Sequence, residues 1–307
     1  LVNPARLART ALLVLLAHFS TAQAAPSQQG QAGVPQQAPP GAAKEGQAGA
    51  AQDARAEGLR LYAAGRCAEA AESFRRAVRA RPDHPDAFND LGAAYLKCGR
   101  NAEAVEALRN AVRLRPVYAE SHYNLGSAHY AAGQLEQAAE AFAEAVRLRS
   151  DYAWALNNLG VTSYELGRYE AAADALRKAV RLRPDWPEAH TQLAFAYAQT
   201  GRTAEAVRAL ERVIRLNPDD AEAYNNLGVA YFNDGRKASA EEAFARAVRL
   251  DGESATARYN LAVVSLARNK RDEAFEQFRV LKKLDGELAE KFYQGLRQGR
   301  VLSLSYK

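Results

Sequence analysis

A strict spacing of 34 residues constrains this chain more than any other feature. Gly58, Gly92, Gly126, Gly160, Ala194, Gly228 and Ala262 follow one another at that interval without exception. Twelve residues after each stands an alanine: Ala70, Ala104, Ala138, Ala172, Ala206, Ala240 and Ala274. Four further on come Phe74, Leu108, Phe142, Leu176, Leu210, Phe244 and Phe278. A fixed period with no insertion means that every unit adopts one supersecondary structure and stacks on its neighbours. An ordinary globular core is thereby excluded over residues 51–288. Seven units follow, at 51–84, 85–118, 119–152, 153–186, 187–220, 221–254 and 255–288.

Each unit reads as a helical hairpin. In 119–152 the apolar residues Tyr123, Leu125, Ala128 and Tyr130 fall mainly at helical spacing, and a second run follows at Ala138, Phe142, Ala145 and Val146. Between the runs stands Gly133, matched by Gly65, Gly99, Gly167, Gly201 and Gly235, the residue that a helix end favours. Pro82, Pro116, Pro184 and Pro218 stop the second helix, because proline cannot continue the hydrogen-bond ladder. Apolar residues reach 48% with alanine heavily used, which suits helix. Gly126 and Ala138 lack bulk, so the paired helices can approach closely.

The order Leu125-Gly126, Ala138, Phe142 and Ala145, with Pro116 closing the preceding unit, resembles the tetratricopeptide repeat. The resemblance implies an all-α, right-handed superhelical solenoid, with first helices lining a concave groove and second helices forming the back. It also implies a non-catalytic scaffold that binds peptides or proteins. Outer repeats depart from the pattern: Glu57 replaces the usual Leu, and Arg258 and Asn269 are atypical. Residues 286–298, with Leu288, Phe292 and Leu296 at helical spacing, read as a terminal capping helix, so 289–307 becomes capping helix and tail.

On the groove side, Asn124, Asn158, Gln192, Asn226 and Asn260 recur once per repeat, with Asn157 and Asn225 beside two of them. Asn is a poor helix former, so its recurrence inside a helix needs a reason. Carboxamides both donate and accept, and a row of them suits an extended peptide backbone. The row resembles the asparagine ladder in the repeat domain of O-linked GlcNAc transferase. Bonding to the neighbouring repeat is the alternative. Tyr123 and Trp154 are the aromatic anchors expected to touch a ligand, with Tyr130, Tyr164, Phe195, Phe232 and Tyr259 as further candidates. Six inner acids (Asp86, Asp90, Glu120, Glu165, Glu188, Glu222) against Arg55 and Lys97 predict an acidic groove suited to a neutral or basic ligand. Family members that clamp a C-terminal carboxylate use Lys and Arg where this chain has Asn89, Tyr123, Asn157 and Thr191, which argues against that ligand.

A basic row lies elsewhere. Arg79, Arg113, Arg147, Arg181, Arg215, Arg249 and Lys283 recur near the end of the second helix, reinforced by Arg81, Arg115, Arg149 and Arg183. Cations favour helix C-termini, and Glu72, Glu106, Glu140, Asp174, Glu242 and Glu276, seven residues earlier, are expected to neutralise the row in part. The alternative is an envelope adaptor holding an anionic polymer or membrane surface. Cys67 and Cys98 lie equidistant from the turn at Pro82-Asp83 and so meet across two antiparallel helices. A disulfide is expected there, with two free thiols as the alternative.

The remaining signals set limits. His84, His122, His129 and His190 show no metal-type spacing, and no phosphate loop or nucleophile elbow is present, so neither metal, cofactor nor catalysis is expected. Arg6 and Arg9 precede the apolar stretch Ala11–Ala17 and a small-x-small site at Ala22 and Ala24. This pattern reads as a signal peptide over 1–24, giving an exported protein, periplasmic or extracellular. Residues 25–50, rich in Gln, Ala, Pro and Gly, read as a disordered linker. A net charge of +5 is too mild to argue for nucleic acid, and no apolar run is long enough to hold the chain in a bilayer after cleavage.

Overall fold

The computed structural model describes residues 42–297 and Leu304. Among them all regular structure is α-helix. They fall into two compact units, one ending at Thr162 and the other beginning at Ser163. The first unit contains α1 (Ala42–Ala63), α2 (Cys67–Ala80), α3 (Pro85–Lys97), α4 (Asn101–Leu114), α5 (Ala119–Ala131), α6 (Leu135–Leu148) and most of α7 (Ala153–Glu165). The second contains α8 (Tyr169–Leu182), α9 (Pro187–Gln199), α10 (Thr203–Leu216), α11 (Ala221–Asn233), α12 (Lys237–Leu250), α13 (Ala255–Ala267), α14 (Arg271–Leu284) and α15 (Gly286–Arg297). Each unit is a solenoid of stacked hairpins, and α15 caps the second.

Local chemistry sets the hairpins. Six first helices end on a glycine in the left-handed region, Gly99 at φ 73° and Gly235 at φ 78° among them. At Gly99 the glycine N–H donates to the Leu96 carbonyl at 3.0 Å and the Arg100 N–H to the Tyr95 carbonyl at 2.9 Å. These bonds satisfy the last carbonyls of α3 and turn the chain into α4. At the seventh turn Asn269, φ 61°, makes the same pair of bonds. Asn is the side chain that best tolerates this conformation. Second helices stop two residues before Pro82, Pro116, Pro184 and Pro218, while Pro85 and Pro187 open α3 and α9, where a missing N–H is harmless.

Packing then follows from residue size. A Cβ on Gly126 would lie 2.7 Å from the Phe142 ring, and one on Gly92 would lie 2.4 Å from Leu108. Those glycines let α5 and α3 press against their partners, and Phe142 and Leu108 are fully buried. α2 also packs on α3, α4 on α5, α8 on α9, α10 on α11 and α12 on α13, each a second helix against the first helix of the next repeat. Within the units, first helices touch one another, α1 with α3, α3 with α5 and α11 with α13. No comparable contact joins successive second helices among the described residues of either unit. Within each unit these first helices therefore share one face, called here the inner face.

One difference from the sequence reading concerns the N-terminal region. The linker assigned to 25–50 contains helix from Ala42 onward, since α1 runs unbroken to Ala63. Ala, Lys, Glu and Gln dominate its start, no proline interrupts it, and Ala51 and Ala54 are buried against the hairpin. The signal-peptide residues 1–24 and linker residues 25–41 lie outside the described residues. At the first junction Cys67, opening α2, is bonded to Cys98, which follows α3, with Cα atoms 5.6 Å apart.

Candidate binding face

The amides of the inner face follow one rule. The fifth residue of a repeat meets the sixth residue of the next, 35 positions on. Asn124 Nδ2 donates to Asn89 Oδ1 at 2.9 Å, Asn158 Nδ2 to the Tyr123 hydroxyl at 3.4 Å, and Asn260 Nδ2 to Asn225 Oδ1 at 2.8 Å. Arg55 and Asp90 occupy the same positions at the first junction, where Arg55 Nε donates to Asp90 Oδ2 at 2.6 Å. Asn157 and Asn225 also donate to their neighbours Asn158 and Asn226, at 3.2 and 3.5 Å. All these asparagines are buried, from 8% exposed at Asn89 to 0% at Asn260.

Of the two roles open to the amide row, the structure realises the scaffold role for Asn124, Asn157, Asn158, Asn225, Asn226 and Asn260. They lie buried in the seam between adjacent first helices. The physical reason is that a buried carboxamide must be hydrogen-bonded, and the fifth-position group of the preceding helix is within reach. Gln192 alone of the row stays half-buried. Sequence reading missed the fifth-position partners Asn89 and Tyr123 as rung-formers, although the 35-residue offset was present to be found.

The rungs also tune their members. Burial pushes the Asp90 carboxyl above its ordinary range, and the Arg55 guanidinium pulls against that shift. Burial pushes the Tyr123 phenol up to about 12. Tyr123 is wedged against Phe142 and Tyr152, with ring centres 5.8 and 5.0 Å away, so it is held in place by its own unit. Trp154 and Tyr164 of α7 and Thr191 and Phe195 of α9 are half-buried.

Inner-face charge differs from the sequence expectation. Asp86 pairs with Arg115 and Glu120 with Arg149, both at 2.8 Å. Each Arg closes its own hairpin and also lies over an aromatic ring, Arg115 over Tyr118 at 5.1 Å and Arg149 over Tyr152 at 3.7 Å. Three of the six inner acids, Asp86, Asp90 and Glu120, are thus paired with arginines, while Glu188 is exposed. Lys97 lies over the Tyr62 ring and donates to the Tyr62 carbonyl at 3.0 Å.

The basic row is corrected in the opposite direction. Glu72 pairs with Arg75 and Asp174 with Arg177, three residues away, rather than with Arg79 and Arg181. Seven residues of helix rise roughly 10 Å, too far for an ion pair, whereas three residues bring side chains together. Arg147 finds Glu144 at 2.6 Å, and Arg113 finds Asn110 at 3.1 Å. Arg79, Arg181, Arg215, Arg249 and Lys283 are exposed without an ion pair among the described residues.

Among the described residues no group of three or more His, Cys, Asp or Glu is placed to hold a metal ion. No helix there is long and apolar enough to cross a membrane. What the inner face offers is a fixed surface of half-buried aromatics beside amides already committed to the scaffold.

Comparison with known proteins agrees with this geometry. The family model of the TPR repeat matches residues 58–99, 92–133 and 126–167. The chain is a tetratricopeptide-repeat protein. A second model, described as the C-terminal domain of cilia and flagella-associated protein 70, matches residues 149–292 of the same tetratricopeptide-repeat array. No curated protein sequence matches. Among solved structures, YrrB, described as a TPR protein with an unusual peptide-binding site, is 24% identical with a TM-score of 0.55, covering 62% of this chain and 99% of that one. MamA from Desulfovibrio magneticus is 26% identical with a TM-score of 0.52, covering 55% and 96%. The C-terminal part of a TPR repeat-containing protein from Cytophaga hutchinsonii is 16% identical with a TM-score of 0.66, covering 78% and 98%.

Proposed function

We propose that this tetratricopeptide-repeat protein is a non-catalytic scaffold that holds an extended segment of a protein partner against its inner face. The observation that carries the reading is the half-buried pair Tyr123 and Trp154 beside the hydrogen-bonded amide rungs of the first unit. Aromatic side chains held rigidly by their surroundings bind peptide groups with little loss of freedom. The peptide-binding site named for YrrB supports the same use of the fold. Neutralisation of Asp86, Asp90 and Glu120 favours a neutral segment over a strongly basic one.

A peptide-display selection on the full chain tests this reading. Selected peptides should lose binding to the variant Trp154→Glu and keep it with Arg181→Ala, Arg215→Ala, Arg249→Ala. The reverse pattern, together with loss of binding in salt, would transfer the role to the basic row. That second reading, an anionic polymer or membrane surface as partner, is favoured by the unpaired Arg79, Arg181, Arg215, Arg249 and Lys283. We also propose export to the periplasm or outside the cell. The basic end, short apolar stretch and small-x-small site of residues 1–24 support it, as does the Cys67–Cys98 pairing, which an oxidising compartment maintains.

A further inference from the structure

Leu304 stands seven residues beyond the end of α15, yet it packs against two buried clusters of the second unit. One is built around Tyr259, Ala262, Val263 and Phe292, the other around Val229, Phe244, Leu261 and Val264. Val229 and Val263 are the members that occupy the ninth position of their repeats, one helical turn after Asn225 and Tyr259 on the inner face. Phe232 and Leu266, the twelfth-position residues one turn further on, are half-buried and pack against the same two clusters. Ala240, Phe244, Ala262, Ala274 and Leu281, by contrast, are fully enclosed within the hairpins. Phe232 and Leu266 border the clusters where α11 and α13 touch. The path is short enough: seven extended residues span at most about 25 Å, and the 12-residue α15 is only about 18 Å long.

We infer that the inner face of repeats six and seven is a site for an aliphatic side chain of an extended peptide, and that Leu304 occupies it as an internal ligand. The sequence around Leu304 has the matching chemistry. Leu302, Leu304 and Tyr306 alternate with Ser303 and Ser305, and an extended chain presents such alternate residues to one side. Residues 298–307 carry Arg300 and Lys307 and no acid, so the segment is mildly basic. The inference rests on that reading and adds partner chemistry and regulation to it. The segment around Leu304 competes with the partner for this site, and the partner is a segment with apolar residues at every second position.

The test is fluorescence anisotropy with a labelled synthetic peptide spanning residues 298–307, added to full-length wild-type protein and to full-length Leu304→Asp. A site filled internally about nine-tenths of the time lowers apparent affinity about tenfold. The peptide is expected to bind Leu304→Asp about tenfold more tightly than wild type, and a peptide carrying the same Asp should fail to bind either. Equal affinity for both proteins, or no binding to Leu304→Asp, overturns the inference. Amide hydrogen exchange gives an independent readout. Leu304→Asp should speed exchange in α11 and α13 and leave α3 and α5 unchanged; unchanged α11 and α13 count against internal docking. If display-selected peptides bind through Trp154 while the 298–307 peptide binds nowhere, the internal ligand falls and the scaffold reading stands. If neither kind of peptide binds, both fall.

Discussion

Hairpins six and seven are neighbours in one unit and share one period, yet they seat their central aromatic differently. In hairpin six a Cβ on Gly228 would lie 2.5 Å from the Phe244 ring, so only glycine admits that ring, and Phe244 is completely buried. Hairpin seven has Ala262 at that position, and its Phe278 is only half-buried. The displaced ring stacks instead on Phe292 and Tyr293 of α15, with ring centres 5.7 and 6.3 Å away, and meets the edge of Phe275. Hairpin five shows that alanine alone is not the cause, because Leu210 opposite Ala194 is buried. The methyl and the phenyl together exceed the space. Interior depth in the middle of the array gives way at its end to contact with the capping helix.

Substitutions separate the two hairpins. Phe244→Ala should cost roughly 3–5 kcal/mol, and Phe278→Ala distinctly less, as read by urea unfolding of the full chain. Equal losses would break the comparison. Gly228→Ala should destabilise by about 1–3 kcal/mol through overpacking. Ala262→Gly should change stability by less than about 1 kcal/mol, because lost helix propensity is offset by deeper seating of Phe278. The rung between the two hairpins is tested by Asn225→Ala. It leaves the buried Asn260 amide without that acceptor, at about 1–3 kcal/mol.

The turns provide a smaller contrast. Asn269→Gly should stabilise by less than about 1 kcal/mol, while Gly235→Ala should destabilise, both visible as shifts in thermal midpoint. The smallest effect is expected at the charged rung of the first unit. The Asp90 carboxyl has a folded value raised by burial, so the folded protein holds that proton more tightly than the unfolded chain. Its contribution to stability is complete below the unfolded value near about 3.9 and is lost as pH rises through the folded value. Asp90→Asn should therefore raise the melting midpoint relative to wild type most at pH 7, with the gap closing toward pH 4. A constant gap would show that the Arg55 pair fully compensates for burial.

Much of the scaffold is legible in the sequence because its causes are short-range and repeated. Gly99, Gly133 and Gly235 mark helix ends through local backbone chemistry, and Pro116 marks a stop for the same reason. The inner face is less legible, because its decisive partners belong to different repeats. Asn124 looks like a free amide until Asn89 is placed against it, and Glu120 looks like groove charge until Arg149 arrives from the end of the same hairpin. Residues 42–50 mislead for another reason: Gln and Gly suggest a linker, whereas the alanines among them extend the helix.

The Cys67–Cys98 bond gives the array a polarity that its repeat pattern lacks. Solenoid units are held by their immediate neighbours alone, so an array opens from its ends. One end here is covalently closed across its first junction, restricting the 31-residue separation between the cysteines. The other end relies on α15 and a half-exposed aromatic stack. Under heat or tension the protein should unzip from the C-terminal side first, and reduction should abolish that direction. The end that opens first is also the end where Leu304 docks, so mechanical loosening and release of the internal ligand become one event.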